Sequence, residues 1–210
     1  FCTRHYYHRH PPRLVFLDLN QAFDTVDHPT LIDTLDRHRL PQAWTKFIIS
    51  YLSDRQYQVR VGNKLSAYKT MTAGVPQGSR IGPHLFLLHT STIPTPDERQ
   101  QIFQTYVDDV LVGAFGRNAD IRLQMYLDDI RDWAIHHNIG VNSAKSQALL
   151  IRKRQPPPTP SWGETDIPFQ PKVTYLGIDL VRSLSKLPHI KQVQIKMMIL
   201  SKICRALNLT

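Results

Sequence analysis

Three aspartates in this sequence could do chemistry together, because each stands at the end of a short apolar run. Asp18 follows the run at 14–17, and Asp108 and Asp109 lie side by side between two further runs. Taken singly, each is interpreted as a turn residue, since aspartate is common in turns. Together, three carboxylates at the ends of adjacent strands would repel one another strongly unless a cation lay between them. Such oxygen ligands suit a Mg²⁺ pair, which clamps the attacking and leaving oxygens in phosphoryl transfer.

The elements that must position these aspartates are predicted from the periodicity of apolar residues. The predicted strands are 14–17, 57–61, 67–72, 102–107, 110–114, 148–151 and 173–180. The predicted helices are a short one after Pro29, one opened by Pro41, and the segments 80–92, 123–134 and 187–207. The two runs around the acidic pair predict a hairpin with that pair at its tip. Strands and helices interleave, but the hairpins favour an α+β fold over a doubly wound parallel sheet.

The second predicted helix carries its apolar residues at helical spacing. Trp44, Phe47, Ile48, Tyr51 and Leu52 fall at i, i+3, i+4, i+7 and i+8. This spacing predicts a single apolar stripe on an amphipathic helix.

The 210-residue chain is strongly basic, with 26 Lys and Arg against 17 Asp and Glu and a formal net charge of +9. This excess favours a polyanionic partner, such as nucleic acid or an acidic membrane surface. The cysteines Cys2 and Cys204 are too few for a disulfide framework or a cysteine-rich zinc module, so we expect no disulfide partner and a reducing compartment. No apolar run approaches the ~18–20 residues of a membrane span, so no membrane-spanning segment is expected.

Five segments, in order along the chain, resemble motifs A to E of the reverse transcriptases. They are Leu17–His28, Ala73–Ser79, Tyr106–Asp109, Asn142 with Lys145, and Tyr175–Gly177. The detail is most similar to the non-LTR retrotransposons of the jockey-like group, through Ala22-Phe23-Asp24 with Val26 and His28, and through Ser50–Arg55. A lone Asp-Asp pair would be weak evidence, whereas five ordered motifs argue against a chance match.

The resemblance implies a polymerase palm, a ferredoxin-like antiparallel sheet with helices on one face. The palm would cover 14–180, with residual fingers elements around 40–75 and the start of a thumb helix at 181–210. Residues 1–13 would be a leader that does not match. Because only 13 residues precede the first predicted strand, we expect the fingers to be mostly missing and the thumb to be partial.

The resemblance also assigns the metal ligands. Asp18 and Asp108 would hold two Mg²⁺ ions, with Mn²⁺ as a possible substitute, and Asp109 would help on the ion that activates the primer 3′-OH. The main-chain carbonyl of Leu19 would add a ligand. Lys145 would protonate the pyrophosphate leaving group or neutralise its charge; the alternative for Lys145 is a solvated surface lysine.

Further assignments concern the incoming nucleotide. Phe23 would lie under its sugar and exclude a 2′-OH by steric clash, so that deoxynucleotides are selected; the alternative is a core aromatic. Gln77 would contact the nucleotide or the template, and the glycines beside it, Gly74 and Gly78, would let the backbone approach closely. Without a ligand, this loop would simply be the entry to a helix.

The remaining assignments concern nucleic acid. Tyr106 and the primer-grip hairpin of Tyr175, Leu176 and Gly177 would contact an RNA–DNA hybrid. Dispersed cations would add salt-sensitive phosphate contacts. These cations are Arg55, Arg60, Lys64, Lys69, Arg152, Lys153, Arg154, Lys186, Lys191, Lys196, Lys202 and Arg205. The implied partners are an RNA template, a DNA primer and deoxynucleoside triphosphates, in the nucleus or the cytoplasm.

Three functional hypotheses follow. The first is an RNA-directed DNA polymerase palm. The second is an inactive or weakly active nucleic-acid-binding remnant, or a domesticated fragment, with the same fold. The third, an unrelated basic two-metal enzyme such as a nuclease, leaves the loop Val75-Pro76-Gln77-Gly78 unexplained.

Overall fold

The computed structural model describes residues 2–5, 9–96, 99–152 and 156–206, which form one main sheet, four small strand pairs and five helices. In chain order the elements are β1 (Arg13–Asp18), α1 (His28–Arg37), α2 (Gln42–Leu52), β2 (Gln56–Tyr57), β3 (Arg60–Val61), β4 (Lys64–Leu65), β5 (Lys69–Thr70), α3 (Gly82–His89), β6 (Gln101–Tyr106), β7 (Asp109–Ala114), α4 (Ala119–His136), β8 (Gln147–Leu150), β9 (Ser161–Trp162), β10 (Thr165–Asp166), β11 (Phe169–Gln170), β12 (Lys172–Tyr175), β13 (Ile178–Val181) and α5 (Leu187–Ala206).

The central sheet has the strand order β11-β8-β1-β7-β6. Strand β1 is antiparallel to both of its neighbours, β7 and β8, and β7 forms a hairpin with β6. Only the edge strand β11 runs parallel to its neighbour. The predicted α+β class with an antiparallel central sheet is therefore confirmed.

One face of the sheet is covered by α4. Val15 and Leu17 of β1 and Val110 and Val112 of β7 project to this face, because alternate residues of a strand point the same way. They pack against the buried residues of α4, namely Leu123, Tyr126, Leu127 and Ile130.

The opposite face carries the other residues of the same strands. Leu14 and Phe16 of β1 and Leu111 of β7 are buried there with Val173 of β12. The ring of Phe16 lies 5.3 Å from the ring of Tyr175, also in β12. The β12–β13 hairpin therefore packs on the face that α4 leaves free.

A second core joins the first three helices. Its buried residues are Ala22, Val26, Leu31, Leu35, Ile48, Leu52, Val75, Leu85 and Phe86. Helix α1 begins cleanly because the Asp27 side chain accepts a hydrogen bond from the Thr30 N–H at 3.0 Å, and proline at position 29 suits the first turn. This helical core holds the loop between β1 and α1 against the loop before α3.

Two sequence predictions need correction. The apolar residues of α2 do not form one buried stripe, since Ile48 and Leu52 are buried but Trp44 and Phe47 are 58% and 54% exposed. The segment 173–180 is not a single strand, because the chain turns at 176–177 and pairs β12 with β13. Over the described ranges, no helix combines the length and apolar character needed to cross a bilayer.

Candidate active site

Asp18 and Asp109 stand directly opposite each other at the end of the β1–β7 pair. Alternation along both strands places them on the face away from α4, in line with Phe16 and Leu111. Residues opposite each other on antiparallel strands have Cβ atoms about 4.5–5.5 Å apart, within reach of a shared ligand. The sheet register therefore brings two of the three aspartates together.

Asp108 lies in the tight turn that joins β6 to β7. Tyr106 pairs with Asp109, so Val107 and Asp108 are the two loop residues. Val107 has a φ of +58°, a left-handed conformation that is costly for a β-branched residue and is usually taken by glycine. Such strain persists only where surrounding structure enforces it, and it is concentrated at functional sites. The turn leaves the Asp108 side chain exposed, next to Asp109.

The carboxylates influence one another electrostatically. Burial raises the pKa of Asp109 above its ordinary value, and the negative charges of Asp108 and Asp18 raise it further. Burial followed by the charge of Asp109 also raises the pKa of Tyr175. The site therefore concentrates negative charge, and a cation bound there would relieve the repulsion.

A cleft of about 130 Å³ opens beside the two paired aspartates. Its polar lining includes Lys145 and Tyr175 in addition to Asp18 and Asp109. The Tyr175 hydroxyl is buried and has no hydrogen-bond partner among the described residues. The cleft thus combines two carboxylates, one ammonium group and one phenol.

Ser146, which the sequence analysis did not single out, helps to hold the backbone of Asp18 in place. The Asp18 N–H donates to the Ser146 hydroxyl oxygen at 3.2 Å, and that hydroxyl donates to the Asn142 carbonyl at 2.8 Å. The Asn142 N–H in turn donates to the Asp18 carbonyl at 2.7 Å. The only signal in the sequence was a serine beside an apolar strand, which is too common to mark a site.

The loop after Asp18 is tied to the same segment. Leu19 forms an isolated bridge with Val141, and the Asn20 N–H donates to the Gly140 carbonyl at 2.8 Å. The backbone of Leu19 is therefore held in place beside the aspartates.

The two loops predicted to hold the nucleotide are joined by backbone hydrogen bonds. The Gly74 N–H donates to the Val26 carbonyl and the Val75 N–H to the Phe23 carbonyl, both at 2.8 Å. His28 Nε2 donates to the Gly74 carbonyl, also at 2.8 Å. Motifs A and B therefore form one structural unit, as a shared site requires.

The side chains of these loops are placed as follows. Phe23 is half-buried, and its ring stacks on Phe86 with centroids 4.8 Å apart. The Gln77 amide does not extend freely into solvent, since it donates to the Asp24 carboxylate at 2.9 Å. Gly78 is exposed at φ +79°.

The proposed nucleic-acid residues lie at two hairpin tips. The Tyr106 side chain is 61% exposed at the end of β6. Leu176 and Gly177 have φ values of +48° and +77°, the pattern of a two-residue hairpin turn, directly after Tyr175.

The fit to a divalent cation rests on two carboxylates. Over the ranges that the structure describes, no group of three or more His, Cys, Asp or Glu side chains is arranged to hold a metal ion. Asp18 and Asp109 share a face, and Asp108 follows in the turn, so the three are neighbours without forming a closed ligand set. The oxygen donors and the raised pKa of Asp109 suit a hard cation such as Mg²⁺.

Comparison with protein families identifies the chain. A family described as reverse transcriptase (RNA-dependent DNA polymerase) matches residues 4–180. The chain is 33% identical over 191 residues to the probable RNA-directed DNA polymerase from transposon X-element of Drosophila melanogaster, covering 87% of this chain and 21% of that protein. It is 35% identical over 189 residues to the RNA-directed DNA polymerase from mobile element jockey of the same species, covering 85% and 20%.

Solved structures agree on the fold. A telomerase chain from Candida albicans, in complex with a fragment of telomeric RNA, has a TM-score of 0.62 at 14% identity, covering 87% of this chain and 32% of that one. Apo telomerase from Candida tropicalis has a TM-score of 0.59 at 12% identity, covering 83% and 35%. The family match spans most of the chain, and the likeness to the jockey and X-element polymerases agrees with it. The chain therefore belongs to the reverse transcriptase family.

Proposed function

We propose that this chain carries the polymerase site of a retrotransposon reverse transcriptase, adding deoxynucleotides to a primer 3′-OH on an RNA template. The chain spans about a fifth of the length of the curated relatives it matches, so the activity of the whole protein is part of this proposal. The observation that carries it is the placement of Asp18 opposite Asp109, with Asp108 in the adjoining turn.

The aspartates would hold two Mg²⁺ ions, or Mn²⁺ in their place. When bound, these ions would activate the 3′-OH and neutralise charge on the triphosphate. Asp18 and Asp108 would hold both ions, Asp109, which stands opposite Asp18, would help on the ion that activates the 3′-OH, and the carbonyl of Leu19 would add an oxygen ligand. Ser146 and the loop at Asn142 would keep Asp18 in position, because their hydrogen bonds fix its backbone on both sides.

The cationic side of the cleft would serve the leaving group. Lys145 lines the same cleft as both paired aspartates. An ammonium group there would neutralise the pyrophosphate or donate a proton to it.

The motif A and B loops would select the sugar. Phe23 is held by its stack on Phe86, so its ring cannot easily move away from a ribose 2′-OH. Gln77 is fixed by Asp24, and we propose that the pair together bounds the nucleotide site, with Gly78 letting the backbone come close.

RNA template and DNA primer would cross the face of the sheet that carries the aspartates. Tyr106 and the tip formed by Tyr175, Leu176 and Gly177 lie at the ends of the two hairpins near the cleft. Telomerase of the same fold has been solved with an RNA fragment, which supports a nucleic-acid partner. The net charge of +9 adds a general attraction for phosphate backbones.

A segment exchange tests the proposal. Residues 4–180 would replace the matching segment of the jockey polymerase, and primer extension on an RNA template would be measured with Mg²⁺. We expect incorporation that Asp18→Asn and Asp108→Asn each abolish, whereas Asp166→Asn, an exposed residue of β10, leaves it intact. A correctly folded chimera without extension, or an active Asp18→Asn variant, would refute the assigned site.

A further inference from the structure

A single peptide group joins the two loops of the candidate nucleotide site. The carbonyl of Gly74 and the N–H of Val75 belong to this group, and each makes a hydrogen bond of 2.8 Å. The carbonyl accepts from Nε2 of His28, and the N–H donates to the carbonyl of Phe23. Because a peptide group is planar and rigid, a partner that fixes its carbonyl also orients its N–H. His28 is therefore connected to the backbone of Phe23 through one rigid plane.

The backbone of His28 is well fixed. This residue begins α1 and precedes Pro29, whose ring restricts φ. Asp27 caps the helix, since its side chain accepts from the Thr30 N–H at 3.0 Å. Leu31, in the same turn, is fully buried in the helical core. The imidazole of His28 is therefore attached to a capped helix end that is packed against the core.

The peptide group needs such a partner because it follows a glycine. Its orientation is set by ψ of Gly74, and glycine has more backbone freedom than any other residue. Gly74 has a φ of +89°, and a Cβ atom there would lie 2.7 Å from the Asp24 carbonyl oxygen. The two loops thus meet backbone against backbone, with no Gly74 side chain between them to limit rotation. The hydrogen bond from His28 supplies the missing constraint.

We propose that His28 is a positioning residue for sugar selection, because it fixes the backbone of Phe23. This inference rests on the proposed function, in which the Phe23 ring excludes a 2′-OH. The stack on Phe86 holds the ring at its outer end, and the peptide group oriented by His28 holds the backbone. Selection by steric clash requires a ring that stays within about 0.5 Å of its working position. Both ends of Phe23 must therefore be held.

The exchange rate of the Val75 amide proton tests this connection without catalysis. NMR would follow that proton in the 210-residue chain, with no divalent ion or nucleotide present. We expect His28→Asn to speed exchange by roughly three- to tenfold, the factor that corresponds to one lost hydrogen bond. The asparagine amide corresponds to Nδ1 of the ring and is too short to replace Nε2. Glutamine carries its amide nitrogen at the position of Nε2, so His28→Gln should keep exchange near the native rate.

His38 supplies a matched control at the other end of the same helix. Its Nε2 makes a hydrogen bond of 2.7 Å with the Ser91 hydroxyl, directly after α1. His38→Asn loses a contact of the same kind, so a general loss of stability would appear in both asparagine variants. Only His28→Asn should change the exchange of Val75.

Sugar selection would be measured in the chimeric polymerase that carries residues 4–180. We expect His28→Asn to lower the ratio of kcat/KM for deoxynucleotide to that for ribonucleotide by roughly three- to tenfold. The ratio should return in His28→Gln and stay native in His38→Asn. In a Phe23→Ala background, His28→Asn should cause no further fall, because the ring through which it acts is absent.

Each part of the inference has an outcome that would overturn it. Native exchange of Val75 in His28→Asn would remove the connection through the peptide group. Faster exchange with native sugar selection would reduce His28 to a structural residue. A further fall in the Phe23→Ala background would show that His28 does not act through Phe23. A folded chimera without extension would refute the polymerase proposal, and the role in selection with it, whereas the exchange rates would still decide whether His28 orients the peptide group.

Discussion

Placing Asp18 opposite Asp109 lowers the folding stability of a sheet whose neighbouring positions are apolar. Like charges directly opposite on antiparallel strands destabilise the pair, by roughly the 0.2–1 kcal/mol that opposite charges would contribute. In the adjoining turn, Val107 has a positive φ that a glycine would adopt more easily, and Asp108 carries a charge that a neutral side chain would avoid. The residues of the candidate site therefore work against local stability, which is typical of functional sites.

Asp109→Asn should stabilise the chain when no divalent ion is present. The raised pKa of Asp109 means that the folded state holds this proton to a higher pH than the unfolded state does. Folding stability therefore falls as the pH rises through the ordinary carboxyl range to the raised pKa, and it stays lower at neutral pH. We expect the variant to melt about 1–4 °C higher than the native chain at pH 7 in EDTA.

The pH and metal dependence provide the controls for this change. The difference in melting temperature should shrink as the pH is lowered, because both states of the native chain then carry the proton. Mg²⁺ should stabilise the native chain more than the variant. A variant that melts lower than the native chain at pH 7 in EDTA would contradict the electrostatic account. Asp166→Asn, in exposed β10, should change nothing.

Phe23→Ala should keep primer extension and admit ribonucleotides. The substitution removes the ring from its stack on Phe86 and opens space where the sugar would lie, without touching the aspartates. Because Phe23 is half-buried, we also expect a stability loss of about 2 kcal/mol, below the range for fully buried phenylalanines.

The measurement is the ratio of deoxynucleotide to ribonucleotide incorporation in the chimeric polymerase. Phe103→Ala is the matched control, since Phe103 is a partly buried phenylalanine that packs against the sheet core. It should lose stability and keep its sugar selection. Unchanged selection in Phe23→Ala would remove Phe23 from this role.

At the scale of elements, the joined loops of motifs A and B depend on one glycine. Gly74 has a φ of +89°, and a Cβ atom there would lie 2.7 Å from the Asp24 carbonyl oxygen. Gly74→Ala should therefore cost about 2 kcal/mol or more, because it adds a backbone clash to the left-handed conformation. Chemical denaturation would measure the loss.

Gly78 offers a matched control in the same loop. It has a similar φ of +79°, but nothing lies within 4 Å of the Cβ position. Gly78→Ala should cost only the conformational penalty of about 1–2 kcal/mol. Equal losses at the two positions would show that the contact with Asp24 does not matter.

Elements with a strong periodic pattern could be predicted from the sequence. The apolar runs of β1 and of the β6–β7 hairpin identified the strands that carry the aspartates, and the reverse transcriptase motifs identified the family. The prediction for α2 was wrong in one respect. Spacing places Trp44 and Phe47 near Ile48 on the helix surface, but it does not say how much of that surface a neighbouring helix covers. Tertiary packing decides this, and it leaves the two rings exposed to solvent.

The finer geometry of the site could not be predicted from the pattern of apolar residues in the sequence. The apolar pattern did not show the turn between β12 and β13, because Leu176, a residue that rarely adopts a positive φ, occupies its first position; only the resemblance to motif E predicted a hairpin there. The hydrogen bond from Gln77 to Asp24 joins residues 53 positions apart. Such a partnership depends on how two loops meet in space, which periodicity cannot report.

Across the whole molecule, the sheet core and the helical core meet at a pair of buried histidines. His89 ends α3 and is fully buried, and its ring lies 5.7 Å from that of His137, which follows α4. Both ring nitrogens of His137 are hydrogen-bonded, Nδ1 to the Trp133 carbonyl at 2.9 Å and Nε2 to the Thr92 hydroxyl at 3.0 Å. Within the described residues, neither ring nitrogen of His89 makes a hydrogen bond of good geometry. The junction between the two cores therefore contains an imidazole that resists protonation.

His89→Phe should make folding less sensitive to acid. Burial, followed by the positive charge that His137 can carry, lowers the pKa of His89 to about 4, although the His137 carbonyl and Asp27 act weakly in the opposite direction. A histidine with a lowered folded pKa takes up its proton more readily in the unfolded state, so stability falls as the pH drops from about 6.5 towards 4. The full loss is on the order of 3 kcal/mol. Urea denaturation between pH 7 and pH 5 should show a shallower fall in His89→Phe, while His84→Phe, at an exposed position of the same helix, keeps the native slope. An unchanged slope in His89→Phe would assign the acid sensitivity to other groups.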